Sequence, residues 1–254
     1  MPNDIVPQPT ACALIIGNEI LSGRTADVNL GHIAGRLTES GIRLAEARVI
    51  SDIEKEIVAA VNACRVRYDY IFTTGGIGPT HDDITAECIA KAFGVELEQN
   101  PAALAILEEQ YRERNIELND ARKRMANMPA GSELVQNKIS GVPGFRTGNV
   151  FVLAGVPQIM QAMLEAALET VSGGTPTRSC TVVAYLSEGA LAGPLRALQG
   201  DYPDIDMGSY PFYRVGRFGS NLVLRGADIA SLEEAAGRLM TVIDELGGEP
   251  VLEK

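Results

Sequence analysis

Between Tyr70 and Cys88 the chain passes from an apolar strand, Tyr70–Thr74, through Gly75, Gly76, Gly78 and Pro79 into a helix whose first turn is expected to hold Asp82 and Asp83. A strand that feeds a helix through glycines at this spacing belongs to an α/β layer. Glycine allows positive φ and close backbone approach, and the first amides of a helix have no intrahelical acceptor, so the turn is suited to an anion such as phosphate. The two carboxylates beside it would repel a bare phosphate. They either cap the helix and favour its positive end, or hold a divalent metal that bridges protein and phosphate.

The surrounding pattern repeats strand, crossover helix, strand. Ala11–Gly17 reads as an apolar strand, Val28–Ser40 as a helix and Ile42–Ser51 as a strand. Asp52 opens a helix to about Arg67, with Ile53, Ile57, Val58 and Val61 on one face. After Ala86–Phe93, Gly94 stops the helix, and Asn100 caps the next one with Pro101 at its first position. Asn119–Asn127 reads as a short helix. This alternation predicts a doubly wound, mostly parallel sheet whose ligand lies at the carboxyl ends of the strands. Past Met128-Pro129, the turn Gly141–Gly144 and the strand Asn149–Ala154 read as a hairpin returning to the sheet, followed by a helix, Gln158–Thr170.

Ser172–Pro176 is the best linker in the chain, dividing an α/β domain, 11–171, from a small α+β domain, 177–254. The second domain is expected to hold a strand at Arg178–Tyr185, a helix at Glu188–Leu198, strands near Ile205–Tyr210 and Asn221–Gly226, and a helix, Ile229–Leu246, capped by Asp228. Asn221–Gly226 reads as an edge strand, and Tyr210, Phe212, Tyr213 and Phe218 form an aromatic cluster.

The 254 residues carry a net charge of −11 with no Lys/Arg cluster, which argues against nucleic acid and against an anionic membrane, both of which require concentrated positive charge. A small-molecule phosphate or pyrophosphate ligand fits better. No apolar run reaches the length of a membrane span, and the start, Met1–Pro9, lacks the basic and apolar regions of a leader, so a cytoplasmic location is expected. Cys12, Cys64, Cys88 and Cys180 are widely spaced among apolar residues, which points to reduced thiols, and with only His32 and His81 no zinc spacing is present.

Four motifs in order give the chain its relatives. Gly17-Asn18-Glu19-Ile20-Leu21-Ser22-Gly23 matches G-x-E-[IL]-L-x-G, Asn29 the Asn that follows it, Thr73–Thr85 contains T-G-G-[IL]-G-P-T-x-D-D-x-T, and Gly155-Val156-Pro157 matches P-G-[VP]-P with Ala154 in place of the first Pro. By these the chain resembles the molybdopterin-binding domain family, and within it the amino-terminal half of the competence/damage-inducible A proteins, over roughly residues 11–170. Ser140, in Asn137–Phe145, stands where the family often has glycine. The full-length relatives continue into an amidase domain acting on nicotinamide mononucleotide; the chain ends at Lys254, so deamidation is not expected.

The resemblance implies a ligand site made of Glu19, Asn29, Thr74, Gly75, Gly76, Gly78, Pro79, Thr80, Asp82, Thr85, Gly155 and Pro157, with Asp83 and Asp52 as catalytic residues. It implies two activities of different kinds. One is hydrolysis of ADP-ribose- or FAD-like pyrophosphates, assisted by Mg, Mn or Co held by Asp83, Asp52 and Glu19. The other is molybdopterin binding without turnover, in molybdenum cofactor metabolism. For Asp52, Asp82 and Asp83, helix capping is the plainer account, worth about 1 kcal/mol without any chemistry. Glu19 between its two glycines reads as a ligand or metal contact, His81 as an exposed turn residue, and Arg122, Lys123 and Arg124 as a solvated helix face, with pairing to a ligand phosphate from across the cleft as the alternative. Close relatives assemble as dimers or trimers, and the aromatic cluster is the surface expected to serve a homo-oligomer.

Overall fold

The computed structural model describes residues 8–214 and 216–253; all but the last two residues of the leader reading over Met1–Pro9 lie outside them. The chain separates into two compact units after Gly174.

The first unit begins β1 (Thr10–Ile16), α1 (Asn18–Leu21), α2 (Asn29–Glu39), β2 (Arg43–Ile50), α3 (Glu54–Arg65), β3 (Tyr70–Thr74) and α4 (Thr85–Phe93). It continues β4 (Leu97–Gln99), α5 (Pro101–Glu113), α6 (Asp120–Lys123), a 3₁₀ turn (Arg124–Ala126), β5 (Asn127–Pro129), β6 (Glu133–Val135), β7 (Gly144–Thr147), β8 (Val150–Leu153) and α7 (Pro157–Leu168). The main sheet has the order β2-β1-β3-β8-β7-β6, parallel through its first four strands and antiparallel in the returning β6–β8 segment. The mostly parallel α/β expectation therefore holds.

The period of two along β1 places Cys12, Leu14 and Ile16 in a core shared with α3, α4 and α5, and Ala11 and Ala13 in a second core under α2 and α7. Both faces of the sheet are covered, which is why β1 is buried almost end to end. Phe72 of β3 and Phe151 of β8 stack at 5.1 Å in the second core. Cys12 and Cys64 touch in the first, sulfur to sulfur at 3.4 Å, and all four cysteines are free thiols.

Several boundaries differ from the sequence reading. Asp82 and Asp83 lie in the turn before α4, which opens at Thr85; the Thr85 N–H is drawn back to the Gly76 carbonyl, closing the glycine turn ahead of the helix. Asp52 precedes the N-cap of α3, Ile53, and does not cap that helix. Glu19 sits in the one-turn helix α1. The segment read as the helix Asn119–Asn127 ends as a 3₁₀ turn, because Asn127–Pro129 is taken up in a two-stranded ribbon with β4. The Asn100 cap forms as expected, accepting from the N–H groups of Ala102 and Ala103.

The second unit is β9 (Arg178–Ala184), α8 (Glu188–Asp201), β10 (Asp206–Arg214), β11 (Arg217–Gly226), α9 (Ile229–Glu245) and β12 (Val251–Glu253). Its sheet is antiparallel in the order β10-β11-β9-β12. Val182, Leu222 and Leu224 form its core with Leu191 and Leu198 of α8 and Leu232, Leu239 and Ile243 of α9. Asn221–Gly226 is thus part of an interior strand, paired with β10 on one side and β9 on the other, and the edges are β10 and β12. No helix among the described residues is long and apolar enough to cross a membrane.

Candidate functional site

The parallel strands β1, β2, β3 and β8 all release the chain at the same edge of the sheet, at Gly17, Ser51, Gly75 and Ala154. A cavity of about 490 Å³ opens there. Its wall includes Gly75, Gly76, Ile77 and Gly78 from the turn after β3, Gly155 and Val156 from the turn after β8, Glu19 from α1, Asp52, and Asp82 with Asp83. Met125, Val142 and Met163 add an apolar side that the sequence motifs did not mark, with Ser140, the departure from the family pattern, beside them.

Gly75 and Gly76 take φ of 109° and 69°, and a Cβ on Gly75 would stand 2.1 Å from the Ile16 carbonyl oxygen. Only glycine lets β1 and this turn lie so close. The N–H of Gly75 donates to the Leu153 carbonyl at 3.2 Å, and the Thr85 hydroxyl to the Gly75 carbonyl at 3.0 Å. Among the described residues, the next three amides, of Gly76, Ile77 and Gly78, donate to no protein acceptor. Consecutive free amides in a glycine turn form a concave, partly positive surface suited to the oxygens of an anion.

The carboxylates surround this cradle, yet two of them are engaged locally. Asp83 Oδ2 accepts from the Thr80 N–H at 2.8 Å and from the Thr80 hydroxyl, latching the turn. Asp52 Oδ2 accepts from the Asn18 N–H at 2.7 Å, joining the loop after β2 to the start of α1. The Glu19 carboxylate folds over Gly17, where a Cβ would meet Oε1 at 2.6 Å.

A second hydrogen-bonded tie runs underneath. The Asn29 amide donates to Thr74 Oγ1 at 2.9 Å and to the Gly155 carbonyl at 2.8 Å, while the Thr74 hydroxyl donates to the Ala154 carbonyl at 2.8 Å. A carbonyl can only accept, so this arrangement fixes which way the Asn29 amide faces, and leaves its Oδ1 buried without a donor. Thr74 and Thr85 are fully buried and face the turn's own backbone. Pro157 flanks a small side recess with Asn29 and Thr74, while Pro79 and Thr80 lie on the exposed outer side of the turn. His81 is almost wholly exposed, as expected.

The family model of the probable molybdopterin binding domain matches residues 12–172, all of the cradle-bearing sheet but the first two residues of β1. The chain belongs to the molybdopterin-binding domain family. A solved structure similar to the family domain of this chain is the protein CinA of Thermoplasma acidophilum, described as of unknown function: it is 32% identical, with a TM-score of 0.59, and the match covers 64% of this chain and 97% of that one. The amino-terminal competence/damage-inducible A resemblance is thereby supported. A protein of Sulfurisphaera tokodaii is 40% identical over 181 residues, 69% of each chain, and one of Pyrobaculum arsenaticum 34% identical over 246 residues, 93% of this chain and 92% of its own. The second unit matches the model of the FAD synthase middle domain over residues 176–247.

Among the described residues no three His, Cys, Asp or Glu side chains converge to hold an ion, and Asp52 and Asp83 already accept backbone N–H groups. Glu19, Asp52 and Asp83 share a wall of the cavity without forming a ligand set for an ion. The molybdopterin-binding domain offers donors that are amides and carboxylates that are dispersed. Sequence reasoning marked the cradle itself because glycine is conspicuous; Met125, Val142 and Met163 carry no signal apart from hydrophobicity, and Ser140 only its departure from the family pattern.

Proposed function

We propose that the first unit binds a phosphate-bearing pterin of the molybdopterin type, with the phosphate on the Gly76–Gly78 amides and the ring against the apolar side made by Met125, Val142 and Met163. The observation that carries this reading is the run of three partnerless amides opening onto a cavity of about 490 Å³, in a domain of the molybdopterin-binding family. A planar heterocycle suits a wall of methionine and valine, and phosphate suits free amides. The protein is read as a binding protein in molybdenum cofactor metabolism, because the carboxylates are not arranged to activate water with a metal. A cytoplasmic protein that forms homo-oligomers completes this reading.

The test is direct. Fluorescence anisotropy of the air-oxidised pterin phosphate is expected to report saturable binding that is insensitive to chelator, with no AMP released from ADP-ribose or FAD in the presence of Mg²⁺, Mn²⁺ or Co²⁺. FAD is included because the second unit matches a domain of FAD synthase. AMP release that disappears in Asp83→Ala, together with no pterin binding, would replace this reading by pyrophosphate hydrolysis.

A further inference from the structure

Resting on the pterin-phosphate reading, we propose that Arg124 is the cation that recognises the ligand's phosphate, leaving its resting partner Glu87 to do so. The cavity wall carries Glu19, Asp52, Asp82 and Asp83 and no Lys, Arg or His. Backbone amides supply only partial positive charge, so a phosphate dianion placed among these carboxylates calls for a full counter-charge nearby.

A narrow recess that also borders the glycine turn provides one. It shares Gly76, Ile77, Gly78, Asp83 and Met125 with the main cavity and adds Arg124 together with its ion-pair partner Glu87. The two neighbours of Arg124 in the basic run are placed differently. Arg122 bonds the Glu117 carbonyl and lies over the Tyr111 ring at 5.1 Å, and Lys123 pairs with Asp120 at 3.7 Å; neither borders the recess.

The resting state of Arg124 is weakly held. Its guanidinium meets Glu87 through one long contact of 3.4 Å, with the side chains 40% and 39% exposed, and exposed single-contact pairs of this kind contribute little. Its backbone is anchored, because Ala126, two residues on, is fully buried. A guanidinium exchanging one long carboxylate contact for a paired contact to phosphate gains both charge and geometry. Glu87, in the first turn of α4, competes with the ligand for Arg124 and so sets its affinity.

The experiment compares two probes on the full chain: the oxidised pterin phosphate and the same pterin after phosphatase treatment. Arg124→Gln is expected to weaken the phosphorylated probe about 10-fold and leave the dephosphorylated one unchanged. Glu87→Gln is expected to tighten the phosphorylated probe alone, by about 3-fold. Arg124→Lys, which keeps the charge, is expected to fall between wild type and Arg124→Gln. Wild-type binding of the phosphorylated probe with Arg124→Gln binding just as tightly overturns the proposal alone, as does equal weakening of both probes. A wild-type chain that binds neither probe overturns the pterin reading and this proposal with it.

Discussion

At the scale of single residues, two glycines separate geometry from composition. Gly75 has positive φ and no room for a Cβ, whereas Gly94, the left-handed C-cap of α4, has positive φ and open space around it. Gly75→Ala is therefore expected to destabilise the protein by about 3 kcal/mol or more, and Gly94→Ala by only about 1 kcal/mol, in urea titrations. Asn29 offers a different test. Its amide N–H groups face the Gly155 carbonyl, so Asn29→Asp sets a carboxylate against that oxygen and should cost about 2 kcal/mol, more than the loss of shape alone explains. The sequence marked Asn29 and Thr74 by motif but gave no sign of the direction of their hydrogen bonds. Residue type announces that a position is special, while whether it faces a ligand or its own backbone depends on neighbours brought from Gly155, far along the chain.

At the scale of elements, the legible features were those with local causes. The Asn100–Pro101 helix start, the Asp228 cap and the alternation of β and α units depend on neighbouring residues, and all are present. The strands β4, β5 and β12 escaped notice because each is three residues long and exists through its partner. Asp69 shows how such pairing titrates. It accepts from both the N–H and the hydroxyl of Thr10, joining the starts of β3 and β1, and the backbone bond followed by the hydroxyl bond holds its carboxyl below the ordinary value of 3.8. A depressed carboxylate contributes stability above its unfolded value and loses it as pH falls through the folded one. Urea midpoints should therefore decline as pH is lowered below 3.8, and Asp69→Asn should flatten that part of the profile.

At the scale of the whole molecule, each unit has its own core, and the sequence linker coincides with a change from parallel to antiparallel architecture. The segment leading to the division is tied to the first unit: Tyr70 exchanges hydrogen bonds with the backbone of Ser172, and the Gly174 N–H donates to the Gly41 carbonyl. Self-association is expected to draw on the second unit's hairpin, where Tyr213 and Phe218 pack against each other at 4.7 Å while remaining 63% and 74% exposed. Phe212 is less available, covered by Tyr185 and Arg214. Light scattering at micromolar concentration should give a dimer or trimer for the full chain and a monomer for Tyr213→Ser with Phe218→Ser. An unchanged oligomer in that variant would move the interface elsewhere.

The sulfurs of Cys12 and Cys64, in contact inside the first core, give the protein an internal stopwatch. With Cys88 they lie wholly out of reach of a thiol reagent, and burial pushes the Cys88 thiol up to about 12 and Cys12 higher still, so neither ionises in the native state. Cys180, partly exposed, belongs to the other unit. A chain with no tryptophan to report its unfolding thus carries two clocks in its thiols, one slow and threefold, one fast and single, and their separate labelling rates would time the opening of each half.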